Sequence, residues 1–181
     1  MKEDLNLIEK YLAGNEEAVE MLVMKYQKMI YALACRMVND MEEAKDITQK
    51  TFIQAIKSIK GFKKKASFKT WLYRIAVNTS LNHMRKDGHK EIELDESAIG
   101  NQSGALSLMI KRERENLIKK RLDELPKQQR LAIILRTYEG LSCCETSQIM
   151  GCSEGAVKAH YHFGVKKLKE ILEGRRYDIH S

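Results

Sequence analysis

Proline is nearly missing from this chain: Pro126 is the single example in 181 residues. Strand-like alternation of apolar and polar residues is missing too, which leaves helices as the building material. No segment approaches the ~18 uninterrupted apolar residues of a membrane-spanning helix, so none is expected to enter a bilayer. The opening, MKEDLNLIEKYLAGNEEAVE, has no basic stretch followed by an apolar run, and no signal peptide is expected. The four cysteines, Cys35, Cys143, Cys144 and Cys152, follow neither a disulfide framework nor a paired CxxC zinc spacing. A reducing, cytoplasmic location is the plain expectation. There is also no Gly-rich phosphate loop, no HExxH and no GxSxG, so no enzyme is expected.

The most telling absence is local. From Ile47 to Lys86, forty consecutive positions hold ten Lys or Arg and no carboxylate, in a chain with 25 acidic residues. Inside that window GFKKKASFKTWLYRIAVN interleaves Lys63, Lys64, Lys65, Lys69 and Arg74 with Phe62, Phe68, Trp71 and Tyr73. A net charge of +7 and a pI near 9.2 favour a polyanionic partner. Acidic side chains would repel a polyanion, so their exclusion fits such a partner, nucleic acid or an anionic membrane surface.

What is present has helical spacing. Val19, Leu22, Val23, Tyr26, Ile30, Leu33 and Met37 predict a helix from Glu16 to Met37. A second helix is predicted from about Met41, with Asn39 or Asp40 as its N-cap and Ala44, Ile47, Thr51, Phe52, Ala55 and Ile59 turned inward. GFKKKAS reads as a loop. Ser67 can cap a third helix whose inner side is Phe68, Trp71, Leu72, Ile75 and Thr79. On its other side Arg74, Asn78, Asn82 and Arg85 fall in one polar stripe. Arg and Lys neutralise phosphate, Asn bonds base edges, and loop aromatics can stack on unpaired bases.

Residues 1–88 carry a net +5, residues 89–105 a net −3, and residues 106–181 a net +5. The middle stretch, HKEIELDESAIGNQSGA, has no period and reads as a flexible linker. Extended, it would span roughly 55–60 Å, more than the ~34 Å turn of B-DNA. The expected fold class is therefore all-α, with two small helical domains on a tether.

In the second domain a helix is predicted from Leu106 to Leu125. Pro126 follows as a first helical residue of the next, which ends at Glu139-Gly140. Ser142 and Glu145 form a capping box, Gly151 is a stop, and Ser153 caps a last helix with Val157, Tyr161, Gly164, Leu168 and Leu172 inside. Two helices joined by a short Gly-containing turn, the second one basic, make a helix-turn-helix. Its outward residues are Lys158, His160, His162, Lys166 and Lys167. His160 and His162 are two apart and face different ways, as do adjacent Cys143 and Cys144, so no metal site is expected.

Together these stretches resemble the extracytoplasmic-function (ECF, group IV) sigma factors of bacterial RNA polymerase. DITQKTF (Asp46–Phe52) resembles the core-binding helix of sigma region 2, SFKTWLYRIAVN the signature that follows it, and LDELPKQQRLAIILRTYEGLSCCETSQIMGCSEGAVK sigma region 4. The resemblance implies region 2 in residues 1–88 and region 4 in 106–181. It implies docking on core polymerase, through the β′ clamp helices and β flap, by Asp46, Ile47, Gln49 and Lys50. It implies capture and melting of −10 DNA by Lys63, Lys64, Lys65, Ser67, Phe68, Trp71, Arg74, Asn78, Asn82 and Arg85, with Phe68 and Trp71 holding the loop. It implies −35 contacts by Ser153, Glu154, Ala156, Lys158, His160, His162 and Lys166. An anti-sigma protein is implied as a further partner; no cofactor is.

The chain departs from the family pattern at Lys50, where a carboxylate is usual, and at Thr146-Ser147, in place of Ile-Ala. The last helix has Ala156, His160, Phe163 and Val165 where Thr or Ser and three Arg are common. Two other classes stay open at this point: a free-standing LuxR-like helix-turn-helix regulator, and a metal- or redox-sensing protein using the Cys/His set.

Overall fold

The structure, a computed structural model, describes residues 2–38, 40–86 and 120–178. Every regular element among them is helical. The predicted linker, the start of the helix expected from Leu106 and the cap candidate Asn39 lie outside the described residues.

The N-terminal half consists of α1 (Lys2–Leu12), α2 (Glu17–Val38), α3 (Met41–Ser58) and α4 (Phe68–Lys86). Helix α1 escaped the periodicity reading because Asp4 interrupts its apolar face. Asp4 is buried and accepts a 2.7 Å hydrogen bond from Lys25 Nζ, while Leu7 and Ile8 pack inward. Helix α2 buries Leu22, Tyr26, Ile30, Leu33 and Met37, as its spacing requires. Helix α3 starts where expected: the Asp40 side chain accepts from the Glu43 N–H at 2.8 Å. The small residues Ala34 and Ala44 let α2 and α3 approach around Ile47. At α4, Ser67 Oγ accepts from the Thr70 N–H at 3.0 Å, the predicted cap.

The C-terminal half has a helical turn at residues 120–123, then α5 (Lys127–Ile133), α6 (Cys143–Met150) and α7 (Glu154–Asp178). Pro126 is the N-cap of α5, one position earlier than predicted. Beyond Ile133 the helix widens into a π-helical stretch, Ile134–Tyr138, before Gly140 turns with φ +63°. The capping box is complete at α6: Ser142 Oγ accepts from the Glu145 N–H at 3.1 Å, and Glu145 accepts from the Ser142 N–H at 2.8 Å. Gly151 closes α6 in the left-handed region, φ +67°. Gly164 allows α7 to lie close on α5; a Cβ there would meet Ile133 Cδ1 at 3.0 Å and Gln129 at 3.2 Å. One inward residue was misplaced: Leu172 is 38% exposed, and Ile171 packs instead against Leu122, Leu125 and Ile133.

The two halves are packed on each other. One apolar core runs from Tyr26, Phe68 and Tyr73 through to Leu131, Ile134, Leu135, Leu141 and Ile149. The half-buried Arg130 of α5 donates to the carbonyls of Arg36 (2.9 Å) and Met37 (3.0 Å), near the end of α2. A cation at a helix C-terminus satisfies orphan carbonyls and the negative end of the dipole. Burial holds the Arg130 guanidinium below its usual range, against the opposing pull of its ion pair with Asp123.

Candidate nucleic-acid interface

The acid-free window spans most of α3, the lysine loop and α4. After α3 a single 3-10 turn (Ile59–Gly61) leads into the lysine loop. Phe62 from that loop packs edge-on to Phe68, centroids 5.9 Å apart, and lies 5.2 Å from Trp71. Phe68 also meets Tyr26 at 5.6 Å. The rings tie the loop to the core, and Lys63, Lys64 and Lys65 stand exposed around them. Lys64 adopts a left-handed backbone, φ +56°, and its Nζ pairs with Glu9 of α1 at 2.8 Å. Both partners are exposed, so the pair is worth ~0–1 kcal/mol and yields readily to a competing phosphate.

The aromatic residues do not form the stacking surface that the sequence suggested. Phe68 is buried and Trp71 half-buried. Tyr73 is wholly buried, with Lys69 Nζ 5.5 Å from its ring centroid. Buried Phe68 and Tyr73 offer no open face to a base, while Trp71 packs against Phe62 and Phe68. Arg74, Asn78, Asn82 and Arg85 are all exposed along α4, as the stripe predicted. Arg85 donates to the Oδ1 of the exposed Asn82, one turn away on the same stripe.

On α3 the structure corrects one assignment. Ile47 is 0% exposed, wedged where α2 crosses α3, so it cannot touch a partner. Gln49 and Lys50 are exposed and Asp46 partly so, and Lys50 Nζ is ion-paired to Asp46. The lysine at the unusual position thus neutralises the neighbouring acid. Ile53, 53% exposed and one helical turn beyond Gln49, extends this stripe. Its signal in the sequence was an apolar residue outside the inward set of α3.

In the helix-turn-helix, Ser153 Oγ accepts from the Ala156 N–H at 3.1 Å and starts α7. Val157 is buried beneath; Glu154, Lys158, His162 and Lys166 face outward. His160 and Ala156 are half-buried on the flank, so His160 is presented less fully than His162. Glu145 is held below the usual carboxylate range by the Ser142 backbone bond, then the Ser142 hydroxyl, with the charge of Lys69 adding to both. Thr146 is fully buried, and its hydroxyl has no hydrogen-bond partner among the described residues. Among those residues no group of three His, Cys, Asp or Glu is placed to hold a metal, and no helix is long and apolar enough to cross a membrane.

Sequence reasoning missed the residues that join the halves. Glu139, with a side chain only 7% exposed, accepts from Arg36 Nη1 at 2.7 Å and from Tyr73 Oη at 2.8 Å. Arg36 also lies 5.1 Å from the Tyr138 ring centroid. Partners 66 and 103 residues apart leave no local pattern to find.

Comparison with known proteins covers both halves. Residues 22–90 match the family Sigma-70 region 2, and residues 115–168 match Sigma-70, region 4. The RNA polymerase sigma-H factor of Pseudomonas aeruginosa is 32% identical over 183 residues, spanning 95% of each chain. The ECF RNA polymerase sigma-E factor of Escherichia coli K12 is 34% identical over 167 residues, 86% of this chain and 87% of that one. Among solved structures, the sigma factor RpoE of Bartonella quintana, in complex with the anti-sigma factor NepR, aligns with a TM-score of 0.66 and 27% identity. That alignment covers 85% of this chain and 96% of that one.

Proposed function

The chain belongs to the sigma-70 family of RNA polymerase sigma factors, in its ECF form, and from that premise we propose which surfaces do the work of transcription initiation. Asp46, Gln49, Lys50 and Ile53 on α3 dock on core polymerase at the β′ clamp helices, with Ile47 bracing them from inside, while the C-terminal domain meets the β flap. The lysine loop and the α4 stripe take the −10 element: Lys63, Lys64 and Lys65 guide the displaced strand, and Asn78 and Asn82 read an extruded base. Helix α7 reads the −35 duplex, with Lys158 and Lys166 on phosphate and His162 and His160 at base edges. The domains correspond to residues 1–88 and 106–181, joined by the acidic stretch 89–105. The chain acts by binding, in the cytoplasm, and the polymerisation chemistry belongs to the core enzyme.

The observation that carries this reading is the α4 face itself. Four exposed polar residues, Arg74, Asn78, Asn82 and Arg85, lie beside an exposed lysine loop with no carboxylate between Ile47 and Lys86. A free-standing regulator would leave that face and the region 2 match without a use. An anti-sigma protein is a further partner on this reading, supported by the relative solved with NepR.

Transcription with core polymerase, on a closed promoter and on the same promoter carrying a pre-melted bubble, tests the assignment. The triple variant Lys63→Ala, Lys64→Ala, Lys65→Ala is expected to slow initiation on the closed template, more so at higher salt, and to recover on the bubble. An equal defect on both templates would make the loop a general phosphate clamp.

A further inference from the structure

The recognition helix carries an apolar strip on its exposed side. Successive helical residues are about 100° apart, so Ala156, Ala159 and Phe163, at i, i+3 and i+7, share one face. Ala159 and Phe163 are exposed and Ala156 is half-buried. Phe163 is 56% exposed, its ring edge-on to that of His162 at 5.6 Å between centroids. The inner face is separately filled by Val157, Gly164 and Leu168, so the strip is not misplaced core. Lys166 and Lys167, both exposed, flank it on either side one to two turns further along the helix, and Lys158 is exposed farther round. With Gln129 and Glu170, Phe163, Lys166 and Lys167 line a shallow hollow at its C-terminal end.

A single exposed apolar residue needs no explanation. Three in line on a basic recognition helix do, because each loses an opportunity for a hydrogen bond to a base edge. The surface that suits an apolar strip between cations is a major groove whose floor presents methyl groups. Only thymine supplies one among the four bases, and alanine and phenylalanine are the side chains that meet it by contact. Resting on the assignment of α7 to the −35 duplex, we propose that Ala156, Ala159 and Phe163 read thymine 5-methyl groups. Phe163 is then a specificity-determining residue, and the upstream element carries thymines on the contacted strand. The lysines hold the helix in register on the phosphates without choosing a base.

The test uses holoenzyme made from the full chain and core polymerase, and a promoter pool randomised across the −35 element. Thymine is expected to be enriched at two or three adjacent positions. Replacing those thymines singly by deoxyuridine removes only the methyl and should weaken binding about fourfold at each contacted position, and 5-methylcytosine should bind better than cytosine there. Phe163→Ala should abolish the deoxyuridine effect at one position, and Phe163→Leu should keep it, with core binding unchanged in both. Wild-type indifference to deoxyuridine, persistence of the effect in Phe163→Ala, or loss of core binding instead of base preference would each overturn the inference. Indifference to scrambling the entire upstream element would overturn the underlying assignment of α7 to duplex reading.

Discussion

Tyr73 Oη donates a 2.8 Å hydrogen bond to Glu139 Oε2, joining the middle of helix α4 to the end of the π-helical stretch in the other half of the molecule. The second carboxylate oxygen takes Arg36, so one acid from the C-terminal half ties down two helices of the N-terminal half. The two halves are therefore joined by a polar contact as well as by their shared apolar core.

Glu139→Ala should loosen that lock. It leaves the Tyr73 hydroxyl and the Arg36 guanidinium without their shared acceptor, at a cost of about 1–3 kcal/mol. Small-angle scattering should show a larger radius of gyration for the variant, and chemical denaturation a lower midpoint. An unchanged radius with lowered stability would mean that the apolar core, and not Glu139, holds the halves together.

Alkaline pH should weaken the same region. Burial, then the Glu139 charge and hydrogen bond, raise Tyr73 well above its ordinary 10.0, and burial raises Tyr26 to about 12. The neutral phenol is the form the fold favours. Its stabilisation is complete below pH 10 and declines as pH rises above that value toward the folded values. Denaturation midpoints taken from about pH 9 to pH 11 should fall, and Tyr73→Phe should flatten the slope. A wild-type profile that stays level would contradict this.

Trp71→Ala should cost about 3 kcal/mol, the lower end for losing a large aromatic, since the indole is half-buried. The loss comes from its contacts with Phe62 and Phe68, at 5.2 and 5.5 Å between centroids. Because those rings tether the lysine loop, the loop should become protease-sensitive well below the unfolding midpoint. Cleavage that tracks global unfolding would separate Trp71 from the loop.

Thr146→Val should stabilise the helix-turn-helix by about 1 kcal/mol. The substitution keeps the shape and removes a buried hydroxyl that has no partner among the described residues. Thermal unfolding measures it directly, and a lowered midpoint would reveal a hydrogen bond made by Thr146.

The sequence by itself determined most of the described helices and their caps, α1 and the π-helical stretch excepted. Asp40, Ser67, Ser142 with Glu145, Gly151 and Ser153 act where they were read, because a cap bonds within three or four residues and its chemistry is local. The α4 stripe was legible for the same reason: helical period alone places Arg74, Asn78, Asn82 and Arg85 on one side. Family-specific motifs reached further, to the division into regions 2 and 4.

Only tertiary structure decided which of those side chains remain available. Ile47 lies within a motif read as partner-binding, yet the close crossing of α2 and α3 takes its whole surface. The rings of Phe68 and Tyr73 sit in a basic, nucleic-acid-like stretch, but burial turns them into supports. The closed pairing of the halves was out of reach, because Glu139, Arg36, Tyr73 and Arg130 meet across 66 to 103 residues. No period or spacing encodes such a contact. It exists only because a core shared by both halves brings Glu139 to Arg36 and Tyr73, and Arg130 to the carbonyls at the end of α2.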